Sequence, residues 1–124
     1  MRIRIRDFFE TLDVCKETFH PNEDWKEMEA CILILDGMGL IGIVYYKPYK
    51  EKKELGIVIR KEYWGQGRGE KAIRGISELA KGNGITELIA KVFTKNRPMI
   101  HLMDKLGWEC YEEKLDFKLF KKTL

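Results

Sequence analysis

Cysteine is sparse and unpaired in this chain. Cys15, Cys31 and Cys110 are far apart and form no Cys-x-x-Cys pair. An odd, scattered set argues against a disulfide framework and reads as reduced, half-buried thiols, and no metal site is expected. Long apolar runs are missing as well: none approaches the roughly 20 residues of a membrane-spanning helix, so no membrane partner is expected. The start alternates basic and apolar residues from Arg2 to Arg6 instead of forming an apolar block, unlike a signal peptide, and the expectation is a cytoplasmic protein. No charge sign dominates. The 23 basic and 20 acidic side chains give a net charge of +3, too mild and mixed to imply nucleic acid. Linkers, repeats and low-complexity stretches are absent, so the 124 residues are read as one domain, 1–124.

What is present is periodicity. Residues 2–8 alternate as a half-buried strand does, and Phe9, Leu12, Val14, Cys15 and Phe19 fit a helix that Pro21 ends. Residues 31–35 and 40–46 are β-branched and apolar around Asp36, Gly37, Met38 and Gly39, a hairpin signature. Pro48 and the charged run at 50–53 predict a solvated turn, with the next strand over 54–60. Ala72, Ile73, Ile76, Leu79 and Ala80 share one helical face within 70–81. Gly75 inside that helix costs about 1 kcal/mol relative to alanine, and a close approach of helix to sheet would explain it. Residues 85–94 predict a strand and 96–106 a helix, with Asn96 as N-cap, Pro98 in the first turn and Gly107 at the C-terminus. Residues 108–113 and 117–121 close the chain as strands. The order β-α-β-β-β-α-β-α-β-β predicts an α/β (α+β) fold, a mixed, mostly antiparallel sheet of about 6–7 strands with helices on both faces.

The most informative segment joins a strand to a helix through Trp64, Gly65, Gln66, Gly67, Arg68 and Gly69. Alternating glycines take positive φ without strain and let a ligand approach the backbone, while the helix that follows presents free N–H groups and a positive dipole end. Such a junction suits a phosphate. Walker spacing is absent, and the dinucleotide fingerprint fails because Glu70 stands where its third glycine is required. A ligand-free turn remains, beside the coenzyme A loop that a family resemblance implies.

The six residues 64–69 resemble the Arg/Gln-x-x-Gly-x-Gly/Ala loop of the Gcn5-related N-acetyltransferases, with Trp64 in the first slot. That tryptophan, after Glu62 and Tyr63, is similar to the branch that acetylates ribosomal-protein N-termini. Asn96, Lys105, Leu106, Gly107 and Trp108 resemble the family's Asn…Lys-Leu-Gly-Phe segment, and the order of elements matches across essentially the whole chain. The resemblance implies acetyl-CoA as cofactor and acetyl transfer to a primary amine by direct attack in a ternary complex. The acceptor would be a protein N-terminus, a lysine or a small amine, and a homodimer is possible in this family. Ile57, Val58 and Ile59 would offer backbone groups to the pantetheine arm and polarise the thioester carbonyl. Trp64, Gly65, Gln66, Gly67, Arg68, Gly69 and Glu70 would hold the pyrophosphate, and Asn96 would touch the arm.

The catalytic pair is less marked. Met103 stands where many relatives place a tyrosine acid, and Lys91 where some carry a glutamate base. Glu54 is the remaining candidate base. Tyr111 is the candidate acid, with Tyr45 and Tyr46 as other phenols. The carboxylates Glu23, Asp24, Glu27, Glu29, Glu51 and Glu54 suggest a cationic acceptor. The departures at 91 and 103 keep open a non-catalytic acyl-CoA-binding module. A nucleic-acid binder using Arg2, Arg4, Arg6 and the basic C-terminal end lacks an aromatic-basic recognition motif.

Overall fold

A computed structural model describes residues 28–36 and 39–124. The strand expected at 2–8, the helix at 9–19, and Glu23, Asp24 and Glu27 lie outside the described residues. Within them the elements run β1 (Ala30–Asp36), β2 (Gly39–Tyr49), β3 (Lys52–Ile59), a 3-10 turn (Lys61–Tyr63), α1 (Arg68–Gly82), β4 (Glu87–Phe93), α2 (Arg97–Lys105), β5 (Glu109–Glu113) and β6 (Phe117–Thr123). The six strands form one sheet in the order β1-β2-β3-β4-β6-β5. Every neighbouring pair is antiparallel except β3–β4.

The β2–β3 hairpin is longer than its sequence suggests. Instead of a broad turn over 48–53, β2 runs through Pro48 to Tyr49 and β3 resumes at Lys52. Proline is tolerated because β1 begins opposite Tyr46, so no β1 residue stands beside Pro48 to miss its N–H. The remaining two-residue turn is made by Lys50, at φ 55°, and Glu51.

Helix α1 buries Ala72, Ile73, Ile76 and Ala80 against β1, β2 and β3. Its stripe meets Val44, Tyr46, Leu55, Leu88, Ala90, Val92 and Phe120 in one core, which Met103 of α2 and Trp108 complete. The phenol of buried Tyr46 is satisfied by the Asn83 side-chain amide, 2.9 Å away. A Cβ on Gly75 would meet Ile32 at 3.4 Å, an ordinary contact, so packing does not demand glycine there. Both helices end on a left-handed glycine: the Ile85 N–H reaches back to Ala80 past Gly84, and the Trp108 N–H to Met103 past Gly107. The other face of the sheet is apolar too, with Ile43, Tyr45, Val58, Ile89 and Leu119 buried. Burial on both faces explains why β2 reads as an unbroken apolar run rather than an alternation.

Candidate functional site

The site begins where the sheet comes apart. β3 and β4 share only two rungs, Lys53–Leu88 and Glu54–Ile89. Beyond them, residues 55–59 stay paired to β2 and residues 90–93 to β6, but not to each other. The sheet is therefore two half-sheets joined as far as Glu54 and Ile89, with β3 and β4 unpaired toward their C-terminal ends, which leaves a gap between two parallel strands. Ligands in such sheets bind outside those ends.

Antiparallel ladders alternate, so the register decides which backbone groups line the gap. The Arg60 N–H donates to Ile41 at 2.8 Å, and the Val58 carbonyl oxygen lies 2.6 Å from where Gly42 would carry a Cβ. Even-numbered residues thus turn their backbone to β2, while Leu55, Ile57 and Ile59 turn theirs toward β4. This divides the three expected contributors: Ile57 and Ile59 face the gap, and Val58 pairs with Ile43.

β3 leads into the glycine loop. Gly65 and Gly67 sit at φ 75° and 79°, each with open space where a Cβ would point. Gly67 is the N-cap of α1, and no side chain caps the first-turn amides. This is a cradle of backbone donors at the positive end of a 15-residue helix, open on the side a ligand would take. Around it, the Trp64 indole N–H donates to the Ile59 carbonyl at 2.7 Å, tying the loop to the last residue of β3. The Gln66 side-chain amide donates to the Glu62 carbonyl at 3.3 Å, Arg68 donates to Gln66, and the Arg68 guanidinium lies 5.0 Å from the Tyr63 ring centroid. Glu70 would oppose an anion, but Lys105 and Arg74 neutralise it at 3.0 and 3.1 Å, and their hydrogen bonds hold its carboxyl below the usual carboxylate range. β4 leads to Asn96, whose Oδ1 caps α2 by accepting from the Met99 N–H at 3.3 Å. With the oxygen so used, its Nδ2 group is what Asn96 can offer a ligand. The loop residues 64–70, Ile57, Ile59 and Asn96 therefore gather at one end of the gap.

The proton-handling candidates are spread out. Glu54 stands on the last rung at the closed end of the gap, largely buried, with its Oε1 3.6 Å from Lys47 Nζ. Tyr111 lies on β5 beside Lys52 and Lys121, whose ammonium groups are 5.2 and 5.6 Å from its ring centroid, and burial raises its pKa. Its neighbours place it at the closed end as well. Met103 is wholly buried in the core, which fits the absence of a hydroxyl at that position. Lys91 is exposed on the part of β4 that pairs with β6 but not with β3, its Nζ 4.4 Å from the Phe117 centroid and 5.6 Å from that of Phe93.

Three further residues enter the site in roles that the sequence did not mark, although Lys105 belongs to the segment matched at 96–108. Lys47 faces Glu54 and Lys105 faces Glu70, pairings that only the register and the packing of α2 on α1 create. Gly56 is the third: a Cβ there would fall 2.2 Å from Tyr45 Cζ and 2.4 Å from its hydroxyl. The phenol of Tyr45 thus crosses from β2 to lie over the strand that borders the gap. Cross-strand Tyr45–Gly56 pairing was the only available signal, and it is invisible without the register. Among the described carboxylates, Glu29 is ion-paired with Lys53 and Glu87 with Lys52, so these do not form a free acidic cluster.

Comparison with known proteins agrees with this geometry. The family model described as "Acetyltransferase (GNAT) domain" matches residues 4–109. A protein of Bacillus subtilis (strain 168), the uncharacterized N-acetyltransferase YobR, is 27% identical over 110 residues, 87% of this chain. The chain spans 39% of that relative's length. Among solved structures, the IAA acetyltransferase from Bacillus cereus superposes with a TM-score of 0.78 at 17% identity, covering 94% of this chain and 95% of that one. The PaiA N-acetyltransferase from Thermoplasma acidophilum, solved in complex with coenzyme A, gives a TM-score of 0.70 at 19% identity over 79% of this chain and 62% of its own.

Proposed function

The chain belongs to the GNAT acetyltransferase family, and from that membership we propose that it transfers an acetyl group from acetyl-CoA to a primary amine by direct attack in a ternary complex. The observation that supports this most is the conjunction of an unpaired β3–β4 gap with a left-handed glycine cradle at its open end. A cradle lined by Cβ atoms would exclude a pyrophosphate; this one leaves open space at Gly65 and Gly67.

Bound there, acetyl-CoA supplies an activated acetyl thioester. The α1 amides following Gly67 hold the pyrophosphate, with Trp64, Gln66 and Arg68 fixing the loop that presents them. The Ile57 and Ile59 N–H groups are the donors available to the arm and to the thioester oxygen. The Asn96 Nδ2 group adds a donor from the β4 side. Transfer forms a C–N bond and breaks a C–S bond; the amine gives up one proton and the sulfur gains one. Glu54 is assigned the first, through a water, because it is the carboxylate at the apex of the gap. A phenol is assigned the second. Tyr111 is the candidate on β5, and Tyr45, laid over Gly56 at the edge of the gap, is the nearer one.

Thiol release from acetyl-CoA across a panel of amines tests the reading. Turnover is expected to fall about 10²–10⁴-fold in Glu54→Gln, and Tyr45→Phe and Tyr111→Phe assign the acid by which of the two slows the reaction. An absence of thiol release with every amine, despite cofactor binding, would favour a non-catalytic acyl-CoA-binding module.

A further inference from the structure

We propose that the exposed end of β4 is an acceptor subsite for a carboxylate, and that the amine acetylated by this chain is a small one carrying a carboxylate beside an apolar group. This rests on the acetyl transfer proposed above and narrows its acceptor.

The helix-side face of the gap is filled by the core, where Ile57, Ala90 and Val92 pack with α1 and α2. Approach to the gap is therefore from the other face, and at the end of β4 that face is open: Lys91 is exposed and Phe93 is 58% exposed. Lys91 stands two residues past the last β3–β4 rung, about 7 Å along the strand. It shares the face of Ile89 and Glu54, so it borders the gap rather than the outer surface of the sheet.

Its ammonium is unlike the other lysines of this face. Lys47 is matched to Glu54, Lys52 to Glu87 and Lys121 to Glu109. Among the described residues, Lys91 is set against two aromatic rings, Phe117 and Phe93, a directly paired couple across β4 and β6. Rings attract the cation without neutralising it and keep water from one side of it. The result is an uncompensated positive charge with an apolar floor beside the gap. That combination suits a carboxylate attached to an apolar body, with the anion on Lys91 and the apolar group on Phe93. A second ammonium, as in a polyamine, meets repulsion there. The subsite thus reverses the preference for a cationic acceptor suggested by the acidic residues in the sequence.

The test uses two N-acetyl products that differ by the carboxylate alone, N-acetylphenylalanine and N-acetylphenethylamine. Each is titrated calorimetrically into the full chain, with and without coenzyme A. The acid is expected to bind at least about tenfold more tightly than its uncharged counterpart. Lys91→Met should abolish the difference and Lys91→Arg retain it. Equal binding of the two ligands, no binding of the acid, or a preference that survives Lys91→Met overturns the proposal. Titration of coenzyme A alone into each variant tests the acetyltransferase reading separately, since Lys91 has no part in the glycine cradle.

Discussion

Gly67 and Gly65 show how a single residue type carries function here. Both hold a left-handed φ with open space beyond, so a side chain meets no steric clash but does meet backbone strain. Gly67→Ala should place about 1–2 kcal/mol on the loop conformation, enough to weaken acetyl-CoA binding about 5–30-fold with the fold intact. Calorimetric titration of the cofactor measures this directly. Glu70 gives a second prediction at this scale. Hydrogen bonds from Lys105, then Arg74, lower its pKa in the folded chain. A lowered folded pKa means the stabilisation is present above the unfolded value, near 4.5, and is lost as pH falls through the folded one. Urea unfolding of the native chain and Glu70→Gln should therefore differ at pH 7 and converge in acid. These glycines were legible in sequence because positive φ selects glycine locally. The Glu70–Lys105 pair was not, because its partners are 35 residues apart and meet only when α2 packs on α1.

At the scale of elements, β3 and β4 each end in a helix N-terminus, but the two ends work differently. α1 starts on a glycine with no side-chain cap, which leaves its amides to a ligand, whereas α2 starts on Asn96 and satisfies one amide internally. Asn96 is a cap in the structure and a donor in the function proposed above, and substitution separates the two roles. Asn96→Ala loses the cap, costing about 0.5–2 kcal/mol, and also loses the donor. Asn96→Asp keeps the accepting oxygen, so its melting temperature should stay near that of the native chain while acetyl-CoA affinity falls as it does for alanine. Melting curves recorded with and without the cofactor read both effects. Helical periodicity and capping residues made α1 and α2 legible to within a residue or two. The extent of β2 was not legible, because Pro48 is a breaker unless the neighbouring strand stops short of it. That information belongs to the register. Gly75 misled for a related reason: its cost is local and visible, but the space around it is set by Ile32 on another element.

At the scale of the whole molecule, the described residues form two half-sheets joined by two rungs, with both described helices on one face. Its family was legible because the glycine loop and the segment 96–108 sit in the right order, and order survives where contacts cannot be read. The parting of β3 from β4 was not legible in the residues, since an apolar strand reads the same whether its neighbour is paired or splayed. The acceptor site was least legible, as Lys91, Phe93 and Phe117 become neighbours only through the β4–β6 ladder. Acetyl transfer by this chain requires that coenzyme A occupy the gap and the cradle. Backbone amide hydrogen exchange, recorded by NMR with and without saturating acetyl-CoA, tests it most directly. Protection is predicted at the N–H groups of Ile57 and Ile59 and across residues 67–70, with Val58, already paired to β2, unchanged. Binding that leaves those amides unprotected, or no binding at all, would contradict it.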